Sequence, residues 1–323
     1  MMIRRKGLVA CMRVLVMGAS MLWAIASAQP DVALRIVVPT PAGGPLDAIA
    51  RSLAIPLAKS LNGAVIVENK AGAAGMIGTD YVARAAPDGR TVLLASGFVV
   101  TNTLLYKVNY DPLRDFVPVV ELSQAGMVML ARKGLDVRAP ADLARAAAGR
   151  PGGLNCGAPP GEMALACEQL KQALGGAVVT VPYTGVAPAI TALIGGNIDV
   201  MLAPFDTAVP WADGERAVAF ATTGTRAALP PFAHLPLASA SWPDFNVIGL
   251  LGILAPAGTP PDVVRKLNRE FNAALKDASV REFMLARGSV LDDDSPPEKL
   301  GRTLAERLAY YRRLAASLGL KPQ

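Results

Sequence analysis

The chain has 323 residues, with 32 basic against 26 acidic side chains, three cysteines and a single histidine. That length allows two lobes of ordinary domain size, while so few cysteines exclude a disulfide framework and one histidine leaves no zinc pattern. The formal charge of +6 is concentrated at the start of the chain, and no basic block or stripe of the kind that binds nucleic acid follows it.

Residues 1–28 read as a cleaved export signal. Arg4, Arg5 and Lys6 precede an uncharged apolar run at 14–25, and Ala26-Ser27-Ala28 supplies a small-x-small cleavage site. The run is shorter than the ~20 residues that a spanning helix needs. Cleavage removes four basic residues (Arg4, Arg5, Lys6 and Arg13) and no acidic one, so the formal charge falls to +2.

The stretch from 35 to 51 organises the first unit. Ile36-Val37-Val38 predicts a buried strand, Pro39 and Pro41 end it, and Gly43-Gly44 let the backbone approach what a side chain would block. Leu46, Ile49, Ala50, Leu53 and Leu57 then recur at helical spacing, with Asp47 in the first turn, where a carboxylate suits the helix dipole. Strand, glycine loop and helix N-terminus together present unpaired N–H groups to an anion. Neither G-x-G-x-x-G nor Gly-Lys-Ser/Thr occurs here, so no dinucleotide or triphosphate loop is indicated.

A second strand at 64–68 leads into the small-residue loop 69–78 and a helix on Tyr81, Val82 and Ala85; a third strand, 91–95, ends at Ser96-Gly97. This alternation predicts parallel βαβ units, in which ligands sit beyond the carboxyl ends of strands. The Gly43-Gly44 and Ser96-Gly97 turns therefore fall where one pocket could use both. Residues 117–122 and 127–131 read as two strands opening a second unit with the same grammar. That unit continues with a helix over Pro140–Ala148, a strand at 154–157 and a helix at 161–174. A strand at 177–181 runs into Pro182-Tyr183-Thr184-Gly185, a helix follows at 187–194, and a strand at 198–202 precedes Pro204-Phe205-Asp206. Ala217–Thr222 is a further strand, and 250–255 the last, before amphipathic helices at 262–276 and 297–318. Asp292-Asp293-Asp294 reads as a solvated, helix-capping run, because no calcium-loop glycine and glutamate follow it. Met127 and Met129 read as core.

Cys156 and Cys167 remain after cleavage. A bridge would have to join a strand end to a helix under strict geometry, so pairing stays open and a buried or loop thiol is the simpler reading. His234 sits in a proline-rich loop, and no nucleophile elbow, base pair or metal set accompanies it. An enzyme is therefore not expected, and neither is a cofactor or a metal.

Six spaced motifs agree with one family. Val38-Pro-Thr-Pro-Ala-Gly-Gly-Pro-Leu-Asp47, Glu68-Asn-Lys-Ala-Gly72, Pro87-Asp-Gly89, Val181-Pro-Tyr-Thr-Gly185, Ile194-Gly-Gly-Asn-Ile-Asp199 and Ala255-Pro-Ala-Gly-Thr-Pro260 resemble the Bug proteins, the periplasmic receptors of tripartite tricarboxylate transporters. The resemblance implies a type II periplasmic binding fold: two doubly wound α/β lobes closing on a ligand cleft. Lobe 1 is expected at 29–130 plus 250–323, and lobe 2 at 131–249. The ligand implied is a small carboxylate or related polar metabolite, and the partners are membrane permease subunits, with the receptor a monomer. A membrane histidine kinase is the alternative partner. The site so implied comprises Thr40, Pro41, Ala42, Gly43, Gly44 and Asp47, then Ser96, Gly97 and Asn102 in lobe 1. In lobe 2 it comprises Cys156, Gly157, Gly161, Tyr183 and Gly185, with Asp206 nearby. The family's Ser-x-Gly-x-Gly stretch is here Cys156-Gly-Ala-Pro-Pro160, whose two prolines donate no N–H.

Overall fold

The computed structural model describes residues 32–211, 214–224, 230–245, 247–320 and 322. The export signal expected at 1–28 lies outside them. Nine strands pair into one sheet: β1 (Val32–Val38), β2 (Ala64–Asn69), β3 (Thr91–Ser96), β4 (Phe116–Arg132), β5 (Leu154–Ala158), β6 (Val178–Pro182), β7 (Val200–Pro204), β8 (Ala217–Thr222) and β9 (Ile248–Pro256). The helices are α1 (Pro45–Ser60), α2 (Met76–Ala83), α3 (Phe98–Leu105), α4 (Pro140–Ala148), α5 (Glu162–Ala173) and α6 (Val186–Ile194). A short turn α7 (Phe205–Ala208) and then α8 (Pro261–Lys276), α9 (Ala278–Leu285) and α10 (Pro297–Ser317) complete the set among the described residues.

Strand order is β2-β1-β3-β9-β4-β7-β5-β6, with β8 also on β4. The sheet therefore has two halves of identical pattern, β2-β1-β3-β9-β4 and β6-β5-β7-β4-β8. In each, a parallel trio is followed by one antiparallel strand borrowed from elsewhere in the chain. β4 belongs to both. Its residues up to Gly126 pair with β9, and from Met127 onward they pair with β7 and β8. The sequence suggested two strands here because two buried blocks flank the half-exposed Gln124-Ala125-Gly126. Those three residues continue the ladder with β9 instead of turning.

Both faces of the sheet are covered, as the alternation of its strands requires. Leu34, Ile36 and Val38 of β1 pack with Leu53 and Leu57 of α1 and Phe271 of α8. Val37 points the other way, into a cluster with Val99 of α3 and Leu304, Leu308 and Tyr311 of α10. In the second half, Leu154, Cys156 and Ala158 of β5 meet Leu170 of α5, while Val128, Leu130 and Met201 meet Ile190 and Leu193 of α6. Met127 and Met129 are buried, as expected. Asp199 ties the second half together: it accepts from Arg132 Nε at 2.7 Å and from Asn155 N–H at 2.9 Å, and it pairs with Arg150. Burial works against its ionisation, but these donors outweigh it and hold the carboxyl below its ordinary range.

Two expectations change. Cys156 and Cys167 form a disulfide, with Cα atoms 5.7 Å apart. The thiol reading fails because α5 folds back along β5 and brings its sixth residue beside the strand. The aspartate run does not cap α10, whose N-cap is Pro296. Asp292 instead pairs with Lys299, and Asp293 with Arg281 at 3.3 Å.

Candidate ligand-binding site

The loop after β1 is built around Asp47. Its Oδ2 accepts from the Gly43 N–H and from Arg51 Nε, both at 2.9 Å, and the residue is 3% exposed. Arg51 above all holds this carboxyl below its ordinary range; burial opposes that, and the Gly43 N–H assists. Asp47 is thus committed to shaping the loop. Pro41, Ala42 and Gly43 are exposed, and Gly43 has φ +80° with nothing within 4 Å of where a Cβ would be. Thr40 is fixed through its carbonyl, which accepts from Asn69 Nδ2 at 3.1 Å.

The loop after β2 packs against this one. Gly78 lies so close to Pro39 and the Lys70 carbonyl that a Cβ would come 2.8 Å from each. Four successive residues, Gly72, Ala73, Ala74 and Gly75, have positive φ, a strained run for two alanines. Asn102 secures it by donating Nδ2–H to the Ala74 carbonyl at 2.9 Å. Asn102 therefore acts through the loop, buried from solvent.

Gly97 and Phe98 begin α3, and the turn before α5 meets them from the other half of the sheet. A Cβ on Gly161 (φ +87°) would lie 3.8 Å from Phe98 Cβ and 3.9 Å from Thr101 Oγ1. Glu162, the first residue of α5, sits directly over Gly97: a Cβ there would fall 1.5 Å from Glu162 Oε1. The Gly97 N–H and its own N–H favour the charged form of the Glu162 carboxyl. Burial, which leaves it 7% exposed, pushes its pKa up, against those two N–H groups and the charge of Arg307 on α10. Two helix N-termini thus point at one carboxylate, the arrangement expected of an anion site.

The remaining residues divide. Tyr183 and Gly185 follow β6 next to this turn, with the Tyr183 N–H donating to the Ala158 carbonyl at 3.1 Å and Gly185 capping α6. Cys156 and Gly157 are withdrawn into the core: the first is bonded to Cys167, and a Cβ on the second would meet Ile198 at 2.4 Å. Asp206 stands apart, 3.9 Å from Arg287 Nε and bonded to Thr207. Glu162 was missed. An acidic residue in a first helical turn reads as a dipole partner, and only the tertiary approach to Gly97 turns it inward. A separate cleft of ≈ 480 Å³ lies along the crossing strands, between Glu121, Gly126, Phe205, Thr223, Val290 and Lys299, and none of the site residues named above lines it.

The model of the tripartite tricarboxylate transporter family receptor matches residues 49–319. The chain belongs to this family. Protein BugT of Bordetella pertussis is 30% identical over 312 residues, 92% of each chain. The structure of the periplasmic binding protein BugD is similar at a TM-score of 0.78 and 32% identity, covering 90% of this chain and 98% of that one. MatC from Rhodopseudomonas palustris, with bound malate, gives 0.77 at 28% identity over 87% and 98%. This member of the family is accordingly a periplasmic solute-binding receptor, and its relatives are receptors, not enzymes. Among the described residues no helix is long and apolar enough to cross a membrane.

Proposed function

We propose that this receptor captures a small carboxylate by closing two lobes over it, and delivers it as a monomer to the permease subunits of a tripartite tricarboxylate transporter. The lobes are 29–130 with 250–323, and 131–249. The change of pairing partners along β4, from β9 up to Gly126 to β7 from Met127, supports a division near this point. Closure works by differential contact: a ligand touching both lobes stabilises the shut state over the open one. The observation that carries the reading is the meeting of the Gly97 and Gly161 turns, one from each half, with their helix N-termini converging. In the exposed Pro41–Gly43 turn the Ala42 N–H is a further donor on the first lobe, since Pro41 has none and the Gly43 N–H serves Asp47.

Native mass spectrometry of protein drawn gently from periplasm tests it, followed by calorimetric titration with malate, adipate and shorter carboxylates under small-angle scattering. Saturable binding with a fall in radius of gyration is expected. Failure of every carboxylate to bind, with no compaction, would remove the reading.

A further inference from the structure

Glu162 is a buried carboxylate with no ion pair among the described residues. The charge of Arg307 on α10 acts on it only from beyond ion-pair distance; a buried charge left without a direct partner costs several kcal/mol as a rule, and a receptor gains by letting its ligand supply that partner. Beside it, the Thr101 hydroxyl, fully buried and turned toward Gly161, has no hydrogen-bond partner among the described residues. The turn that brings Glu162 in is Pro159-Pro160-Gly161, and neither proline has an N–H. On the second lobe, then, two donors are absent and a carboxylate acceptor has been added. That carboxylate stands directly over Gly97, where a ligand anion would otherwise lie.

We propose that Glu162 sets ligand choice: it fills the anion position between α3 and α5, so the ligand brings one carboxylate to the Pro41–Gly44 loop and a cationic or hydrogen-bond-donating group, such as an ammonium, to Glu162. Dicarboxylates are disfavoured because their second carboxylate meets a like charge in a dry site. This rests on the receptor reading above and narrows its ligand class.

The test compares two probes of similar length, succinate and 4-aminobutyrate, which differ at one end by carboxylate against ammonium. Both are titrated calorimetrically into wild type and Glu162→Gln. Wild type is expected to favour 4-aminobutyrate at least tenfold, and the variant to shift that ratio at least tenfold toward succinate. A wild-type preference for succinate, or an unchanged ratio in the variant, overturns the proposal while leaving the receptor reading intact. Failure of these and all other carboxylates to bind either protein overturns the receptor reading itself. A second pair guards against a folding defect. Gly97→Ala should lower the melting temperature, because its methyl collides with Glu162, and Glu162→Ala in the same chain should recover most of that loss. Absence of recovery also overturns the assigned contact.

Discussion

Asp47 and Glu162 are both acids in the first turn of a helix, and they do opposite things. Asp47 is buried within its own loop, where its Oδ2 accepts from Arg51 and from the Gly43 N–H. Replacing it with alanine should cost about 1–2 kcal/mol in urea unfolding, from two lost charge-assisted hydrogen bonds, and should weaken ligand binding by loosening the loop. Because its pKa is lowered in the fold, its contribution is present above the ordinary carboxylate range and is lost as pH falls through the lowered value. Glu162 has the reverse sign. Its pKa is raised, so only between the ordinary value of 4.5 and the raised one does the folded state hold a proton that the unfolded state gives up; stability is whole below that interval and declines across it as pH rises. Arg307 and Tyr311 of α10 are the charged and titratable groups that face it. Glu162→Gln should therefore gain stability over wild type as pH is raised from 4.5 to 8, and parallel melting curves would refute that. The Asp47 role was legible from spacing alone, whereas Glu162 depends on a contact with Gly97 made across the sheet halves. Gly43 also gains from the structure: with φ +80°, a valine there would strain the backbone as well as occupy the loop.

Helices and strands emerged from the sequence wherever an apolar period ran unbroken. Pro140–Ala148 and Ala217–Thr222 match to the residue. α3 and α9 escaped because each is eight residues long; α3 is nearly uniformly buried, which hides its period, and α9 follows α8 after one residue. β4 was cut in two by its half-exposed centre. The disulfide was left open because spacing says nothing about whether a helix doubles back on its strand. Here it fastens α5, and with it the Glu162 turn, to β5. Closing a loop of eleven residues' separation should contribute about 2–3 kcal/mol, so replacing both cysteines with alanine should lower the urea midpoint by the matching amount. A variant as stable as wild type would show that packing of α5 suffices without the bond.

At the scale of the molecule, the two halves are joined at a knot of few residues. Thr223 donates its N–H to the Met127 carbonyl at 2.8 Å, its hydroxyl accepts from the Met127 N–H at 2.8 Å, and the same hydroxyl donates to the Val247 carbonyl. Gly126 is adjacent, and a Cβ on it would stand 2.2 Å from the Thr223 carbonyl oxygen. Gly126→Ala should cost about 1–3 kcal/mol by overpacking and alter the compaction seen on ligand addition; unchanged scattering and stability would place the hinge elsewhere. The strand that crosses this knot has another consequence, for how the protein is made. β4 is synthesised early, but its partner β9 is among the last strands to emerge, and β3 waits for the same strand. Until residue 248 and beyond are through the membrane, both β3 and β4 carry open edges of the kind that recruit foreign strands. The strands of the second half are all made before β9, whereas the first half cannot close its sheet until β9 arrives, so the half begun first is the one finished last.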